Sequence, residues 1–372
     1  MSWSPQQERA IDDVRAWIKS RNRKPVFRLF GYAGTGKTTL AKELAASVRG
    51  TVLYATFTGK AALQLRKKGC DEASTIHSLI YKVDVCNETG EASFKLNRES
   101  DLANAKLLIV DEVSMVDDEL ARDLLSFKVP ILVLGDPAQL PPVKGEGFFI
   151  NSAPDVMLTE VHRQARDNPI IRLSMDIREG RPLQRGTHGE SLVAARDDVD
   201  AAQLRELVLG ADQVLCGLNR TRTAFNRRVR ALKDLAGERA MWHPAVGDRL
   251  ICLRNNREKA LFNGGLWHAR VVEDKFGRFD IMAHSIDEPD RDPVWLGVRD
   301  EFFNGTERKL DWRERRESHE FTFGWTITCH KSQGSQWDNV VVFDESGAFR
   351  DARANWLYTA VTRAAERVTV IV

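Results

Sequence analysis

The segment that most restricts how this chain can fold is GYAGTGKT at residues 31–38. It fits the spacing G-x-x-x-x-G-K-[ST], directly follows the apolar run VFRLF, and leads into TLAKELAASV, whose apolar residues recur at helical spacing. A strand that turns through glycines into a helix commits this region to an α/β layer arrangement. Gly31, Gly34 and Gly36 let the backbone close around an anion, and the amides at the helix start supply its hydrogen bonds. Lys37 then stands where it reaches the β- and γ-phosphates of a nucleotide and Thr38 where it ligates Mg²⁺, with Thr35 and Thr39 completing the cradle. The alternative, a chance glycine-rich turn, is disfavoured by the strand before it and the helix after it.

The surrounding pattern extends the α/β reading. Residues 26–30, 51–57, 107–110 and 131–134 are continuous apolar runs of the kind found in strands covered on both faces, and residues 38–48 and 117–125 carry helical spacing between them. A first P-loop lobe is expected over residues 1–80 and 101–165. Its interruption at 81–100, YKVDVCNETGEASFKLNRES, alternates, turns at N-E-T-G and returns, which predicts a protruding β-hairpin. A second α/β pattern is expected over 166–245 and 318–372. Residues 246–317, with GDRL, NGGLWHARVVE, FGRFDIMAH and VWLGVRDEFF, instead show period-2 alternation, so an antiparallel β-unit is expected inside the second lobe.

Composition removes several function classes. With 372 residues the chain suits two or three domains at roughly 100–200 residues each. With 55 Lys and Arg against 53 Asp and Glu, no bulk field marks a nucleic-acid or membrane partner, and any basic groove is local. No apolar run reaches the ~20 residues that span a bilayer, and MSWSPQQERAIDDVRAW lacks a secretory layout, so a cytoplasmic protein without a membrane partner is expected. The five cysteines, Cys70, Cys86, Cys216, Cys252 and Cys329, form no C-x-x-C pair and are expected as buried, reduced thiols. None of the eight histidines stands among ligands at zinc-binding spacing.

Downstream, KLLIVDEVSM ends an apolar strand in Asp111 and Glu112, the end at which doubly wound sheets bind ligands. Asp111 is expected to hold Mg²⁺ through water, and Glu112 to orient or deprotonate an attacking water. Nucleotide kinases lack that second task, since a substrate hydroxyl accepts the phosphoryl group there. Alone, an acidic pair is equally a helix cap or a solvated turn. Paired with the phosphate loop it points to hydrolysis.

Eight segments stand in order around and after the phosphate loop: SPQQERAI, ATFTGKAA, STIHSL, DEVSM, GDPAQLPPV, LTEVHRQ, TCHKSQGSQWDNVVV and LYTAVTRA. Their order resembles that of superfamily 1 helicases, and most closely the 5′-to-3′ branch (superfamily 1B) that includes RecD and the phage Dda helicase. The resemblance implies two RecA-like lobes, with Gln7 reading the adenine edge and Gln6 as the alternative. It further implies Gln139 as a γ-phosphate sensor and Arg163 and Arg363 as arginine fingers, whose planar, permanently charged groups stabilise equatorial phosphoryl oxygens. It makes Thr58, Lys60, Thr75, His77, Thr328, His330, Lys331 and Ser332 strand contacts, the hairpin a duplex-splitting pin with Phe94 meeting bases, and the β-insert an SH3-like unit.

Hydroxyls, amines and imidazoles suit phosphate oxygens and read no base sequence, so sequence-tolerant binding is expected. Trp267 and Trp337 suit stacking on bases, but core packing is the preferred account. The run Arg220, Arg222, Arg227, Arg228, Arg230 and Lys233 either attracts a DNA backbone or is a solvated helix face. Asn219 falls where relatives carry a conformational or strand-sensing motif. The reading is a monomeric, ATP- and Mg²⁺-dependent helicase acting 5′ to 3′ on single-stranded and forked duplex DNA, in contact with replication or recombination proteins. A translocase that remodels nucleoprotein without separating strands, a non-enzymatic DNA-binding module, and more weakly a nucleotide kinase are the rivals.

Overall fold

The computed structural model describes residues 3–85, 92–141, 147–160, 167–235, 240–256 and 258–372. The first strands are β1 (Val26–Gly31), β2 (Val52–Thr56), β3 (Ser74–Thr75), the hairpin strands β4 (Tyr81–Val85) and β5 (Ala92–Leu96), then β6 (Leu107–Asp111), β7 (Ile131–Gly135) and β8 (Val156–Leu158). Six of them form one sheet in the order β3-β2-β6-β7-β1-β8, every neighbouring pair parallel. Its uninterrupted apolar runs have a direct cause. Leu108, Val110, Ile131 and Val133 enter one core, while Leu107, Ile109, Leu132 and Leu134 enter another across the pleat. The helices Pro5–Lys19 and Lys37–Ala46 close the second core with Ala10, Val14, Trp17, Leu40 and Leu44; the helix Asp118–Leu125 closes the first with Leu120 and Leu124. Each such side chain contributes roughly 1.5–3 kcal/mol on burial, so polar residues are displaced to the strand ends.

The hairpin is present, with Tyr81 opposite Leu96 and Val83 opposite Phe94, and Phe94 is 64% exposed. Its expected N-E-T-G turn, residues 87–90, lies outside the described residues.

The chain forms two compact units, Met1–Pro182 with Ala354–Thr362, and Leu183–Arg353 with Arg363–Val372. The helix Pro169–Arg178, expected in the second lobe, therefore packs with the first, as does most of the helix Arg353–Val361. Helical spacing shows that a face must be buried but does not show against which sheet.

The second unit carries β9 (Gly186–His188), β10 (Ser191–Ala194), β11 (Gln213–Cys216), β12 (Arg249–Cys252), β13 (Leu266–Lys275), β14 (Arg278–Ser285), β15 (Val294–Arg299), β16 (Phe321–Phe323), β17 (Thr326–Thr328), β18 (Trp337–Phe343) and β19 (Ala364–Ile371). Its main sheet runs β17-β11-β18-β19-β10-β9, parallel except for β9. The alternating insert forms a five-stranded antiparallel sheet, β15-β14-β13-β12-β16, that ends at Phe323 rather than 317. Trp267 is buried in its core, as preferred.

Within the basic run, Arg220, Arg227, Arg228 and Lys233 are exposed, but Arg230 is fully buried. Its Nε donates to Asp248 Oδ1 at 2.9 Å, and Trp325 Nε1 donates to the same oxygen at 3.1 Å. Arg230 therefore joins the helix Asn219–Leu232 to the insert and offers nothing to a strand. Removing one partner leaves a buried charge. Asp248→Ala should lower the stability of this unit by about 3–5 kcal/mol in denaturant unfolding, whereas Arg227→Ala should change it by less than about 0.5 kcal/mol.

Candidate active site

The phosphate loop sits between β1 and the helix Lys37–Ala46 at the C-terminal edge of the parallel sheet, where ligands bind in such folds. Gly34 and Gly36 hold φ of 78° and 79°, a left-handed conformation that favours glycine. Gly31 is required for space: a Cβ there would lie 2.6 Å from Thr35 Oγ1 and 2.8 Å from Leu158 Cβ. The Thr35 hydroxyl donates to the Tyr32 carbonyl at 2.8 Å. Lys37 Nζ donates to the carbonyls of Gly31 at 2.6 Å and Tyr32 at 3.0 Å, folding its ammonium over the loop that would receive phosphate. Thr39 is exposed at the helix start.

Beside it, the Thr38 hydroxyl donates to Asp111 Oδ2 at 3.1 Å. Glu112 follows in a left-handed backbone conformation, φ 54°, and its amide donates to Asp111 Oδ1 at 2.8 Å. A non-glycine residue held in that region stores strain of order 1–3 kcal/mol. Burial pushes Asp111 above the usual carboxylate range, the Glu112 charge adds to this, and Lys37 and the Thr38 hydroxyl oppose it. A hydroxyl and a carboxylate within contact are hard oxygen donors that fit Mg²⁺, which takes few protein ligands and keeps its waters.

Gln7 is buried in the helix Pro5–Lys19. Its Nε2 donates to the Thr35 carbonyl at 3.0 Å, and its Oε1 accepts from the Ser4 amide at 3.0 Å in a capping box. One end of the carboxamide thus meets the phosphate loop, and the other caps its own helix. Gln6 is tethered elsewhere, accepting from the amides of Thr159 and Glu160 at 2.9 Å each.

Gln139 stands in the segment after β7, and its buried Oε1 has no hydrogen-bond partner among the described residues. The helix Arg353–Val361 grips that segment with three polar residues on one face. Asn355 Nδ2 donates to the carbonyls of Ala138 and Gln139 at 3.1 Å each, and the Leu140 amide donates to Thr359 Oγ1 at 2.8 Å. Between them, Tyr358 accepts from the Ala33 amide of the phosphate loop at 2.8 Å and donates to Asp136 Oδ2 at 2.8 Å. Asp136 also accepts from the Ala138 amide at 3.0 Å. Burial raises both Asp136 and Tyr358 above their ordinary values. Sequence reasoning missed Asp136, Asn355, Tyr358 and Thr359; the available signal was polar residues at i, i+3 and i+4 in an otherwise apolar helix.

Arg163 lies outside the described residues. Arg363 lies in the second unit, buried, with Nη1 donating to the Ser335 carbonyl at 3.1 Å.

Several expected strand contacts prove to be internal. Lys60 is 2% exposed and Ser332 is 0% exposed, the latter donating to the Cys329 carbonyl at 2.7 Å. Thr75 caps the short helix Ile76–Ile80, accepting from the Ser78 amide at 3.0 Å, and is itself buried. All three are buried here, where their motifs also build the turns that end the strands. Thr58 caps the helix Gly59–Lys67. His77 lies edge-on to Phe57, ring centroids 5.9 Å apart, and His330 lies 5.5 Å from Phe349. Burial holds both imidazoles below their ordinary value, so at neutral pH they are uncharged and offer hydrogen bonds without charge. Burial likewise lowers Lys331, whose Nζ donates to Asn263 Oδ1 at 2.5 Å. Thr328 precedes the turn Cys329–Ser332 and makes no side-chain cap bond to it.

Among the described residues no helix is long and apolar enough to cross a membrane, and no three His, Cys, Asp or Glu converge as metal ligands.

Residues 2–202 match the family model described as an AAA domain, and residues 323–371 match the UvrD-like helicase C-terminal domain. The chain is 30% identical to the ATP-dependent RecD2 DNA helicase of Deinococcus radiodurans over 364 residues, covering 91% of this chain and 46% of that protein. It is 36% identical to the ATP-dependent DNA helicase dda of Enterobacteria phage T4 over 190 residues, covering 47% of this chain and 42% of that one. It therefore spans less than half the length of either relative. Its fold is that of the Pif1 helicase from Bacteroides in complex with ADP-AlF3 and ssDNA: TM-score 0.59, 18% identity, 99% of this chain and 92% of that one covered. The chain belongs to the AAA-domain family, and its similarity to RecD2 and Dda accords with the superfamily 1B resemblance read from its motifs.

Proposed function

We propose that this chain hydrolyses ATP with Mg²⁺ and uses the energy to move 5′ to 3′ along single-stranded DNA and unwind forked duplex. The observation that carries the reading is the contact of Thr38 with Asp111 beside Glu112, set against the phosphate loop that holds Lys37. Lys37 would turn from its carbonyls to the β- and γ-phosphates. Thr38 and Asp111 would hold the cation, which when bound neutralises charge between those phosphates. Glu112 would orient and deprotonate water, the unpartnered Gln139 oxygen would accept a hydrogen bond in the loaded site, and Arg163 and Arg363 would meet charge spread over the equatorial oxygens. Gly34, Thr35, Gly36 and Thr39 line the loop, and Gln7 acts on it through Thr35.

Strand contact is proposed for Thr58, His77 and Phe94 in the first unit, and for Thr328, His330 and Lys331 in the second. The hairpin serves as the pin, and the five-stranded insert is the SH3-like unit. The D. radiodurans and T4 relatives are named as DNA helicases and the Bacteroides structure contains ssDNA, which supports a DNA substrate. We further propose a monomer acting in the cytoplasm beside replication or recombination proteins.

Lys37→Ala and Glu112→Gln should each lower strand-stimulated ATPase by at least about 100-fold while circular dichroism stays unchanged. A fork with only a 5′ tail should be unwound and one with only a 3′ tail should not; the reverse would refute the polarity. Phe94→Ala should slow unwinding roughly fivefold or more, by loss of one stacked base, and leave ATP turnover within twofold. If Gln7 braces the loop, Gln7→Ala should weaken ATP and GTP binding alike by about tenfold; loss for ATP alone would return Gln7 to the adenine.

A further inference from the structure

We propose that Tyr358 is a positioning residue that locks the phosphate loop and Gln139 into one arrangement, so that the sensor addresses the γ-phosphate only when the loop is correctly set. The inference rests on the ATPase reading above. Its basis is that one hydroxyl joins two segments distant in sequence. The phenol accepts from Ala33 in the loop and donates to Asp136, three residues before Gln139. The Ala33 amide can only donate, so the phenol oxygen accepts from it, which leaves the hydroxyl hydrogen for Asp136 Oδ2.

Around this link the surroundings are rigid. Tyr358 is 2% exposed, Asp136 is 4% exposed, and the 138–140 backbone is fixed on either side of the link by Asn355 and Thr359 from the same helix face. The Arg178 guanidinium lies over the Tyr32 ring, 3.7 Å from its centroid, and packs the neighbouring loop residue from the helix Pro169–Arg178. Every member of this set lies in the first unit. The segment of that unit that carries Tyr358 runs from Ala354 to Thr362.

A positioning role differs from a binding role in what it costs. Tyr358→Phe keeps the ring and frees the Ala33 amide for phosphate, so the affinity for a fluorescent ATP analogue should stay within threefold while kcat falls about tenfold or more. Gln139→Ala should lower kcat further, and Tyr358→Phe combined with Gln139→Ala should be no slower than Gln139→Ala alone, within about threefold, because the tyrosine acts through the glutamine. Asp136→Asn should reproduce the Tyr358→Phe pattern by a second route. Multiplicative losses in the double variant, an unchanged kcat, or a loss of affinity as large as the loss of kcat/KM would each overturn the proposal.

Hydrogen exchange separates this from failure of the ATPase reading. In nucleotide-free protein, the peptide containing Ala33 should exchange about tenfold faster in Tyr358→Phe than in the unaltered chain. Unchanged exchange sinks the Tyr358 link whatever the enzyme does. Faster exchange in a chain that hydrolyses no ATP would sink the ATPase reading and, with no reaction to position, the sensor role too.

Discussion

Burial on both faces of β6 is the constraint from which the site follows. A strand covered by helices on either side cannot carry charge along its length, because each uncompensated buried charge would cost several kcal/mol. Its chemistry is therefore confined to the end, where Leu107–Val110 gives way to Asp111 and Glu112 and the backbone turns left-handed. The parallel pairing of β6 with β2 and β7, and of β7 with β1, brings that end level with the end of β1, where the phosphate loop begins. Packing thus brings Thr38 and Asp111 together across 73 residues of chain.

Much of this was legible in the residues. The four long strands of the first sheet lie within a residue or two of their apolar runs, since two-sided burial leaves a pattern that needs no knowledge of the partners. The short edge strands Ser74–Thr75 and Val156–Leu158 were not seen, because two or three residues are too few for a period to register. The loop, Asp111 and Glu112 carry their chemistry in residue type and spacing. The burial of Lys60, Thr75 and Ser332 was not legible: a motif that both builds a turn and touches a ligand does not say which of its side chains does which.

The helix Arg353–Val361 shows the limit most clearly. Its sequence RANWLYTAV interleaves apolar and polar residues, and Trp356, Leu357, Tyr358, Thr359, Ala360 and Val361 are all buried. Nothing in that pattern says that Asn355, Tyr358 and Thr359 face a loop more than 200 residues earlier in the chain. Similarly, Arg230 sits in a run of exposed cations, and only the fold shows that Asp248 and Trp325 claim it. Long-range polar pairing is set by topology, and a local reading of charge runs past it.

The most direct test is phosphate release from ATP by the unaltered chain, measured with and without Mg²⁺ and with and without a single-stranded oligodeoxynucleotide. Turnover should require the cation and rise at least tenfold with the strand. ATP that binds but is not hydrolysed, or hydrolysis indifferent to Mg²⁺, would contradict the roles given to Lys37, Thr38, Asp111 and Glu112.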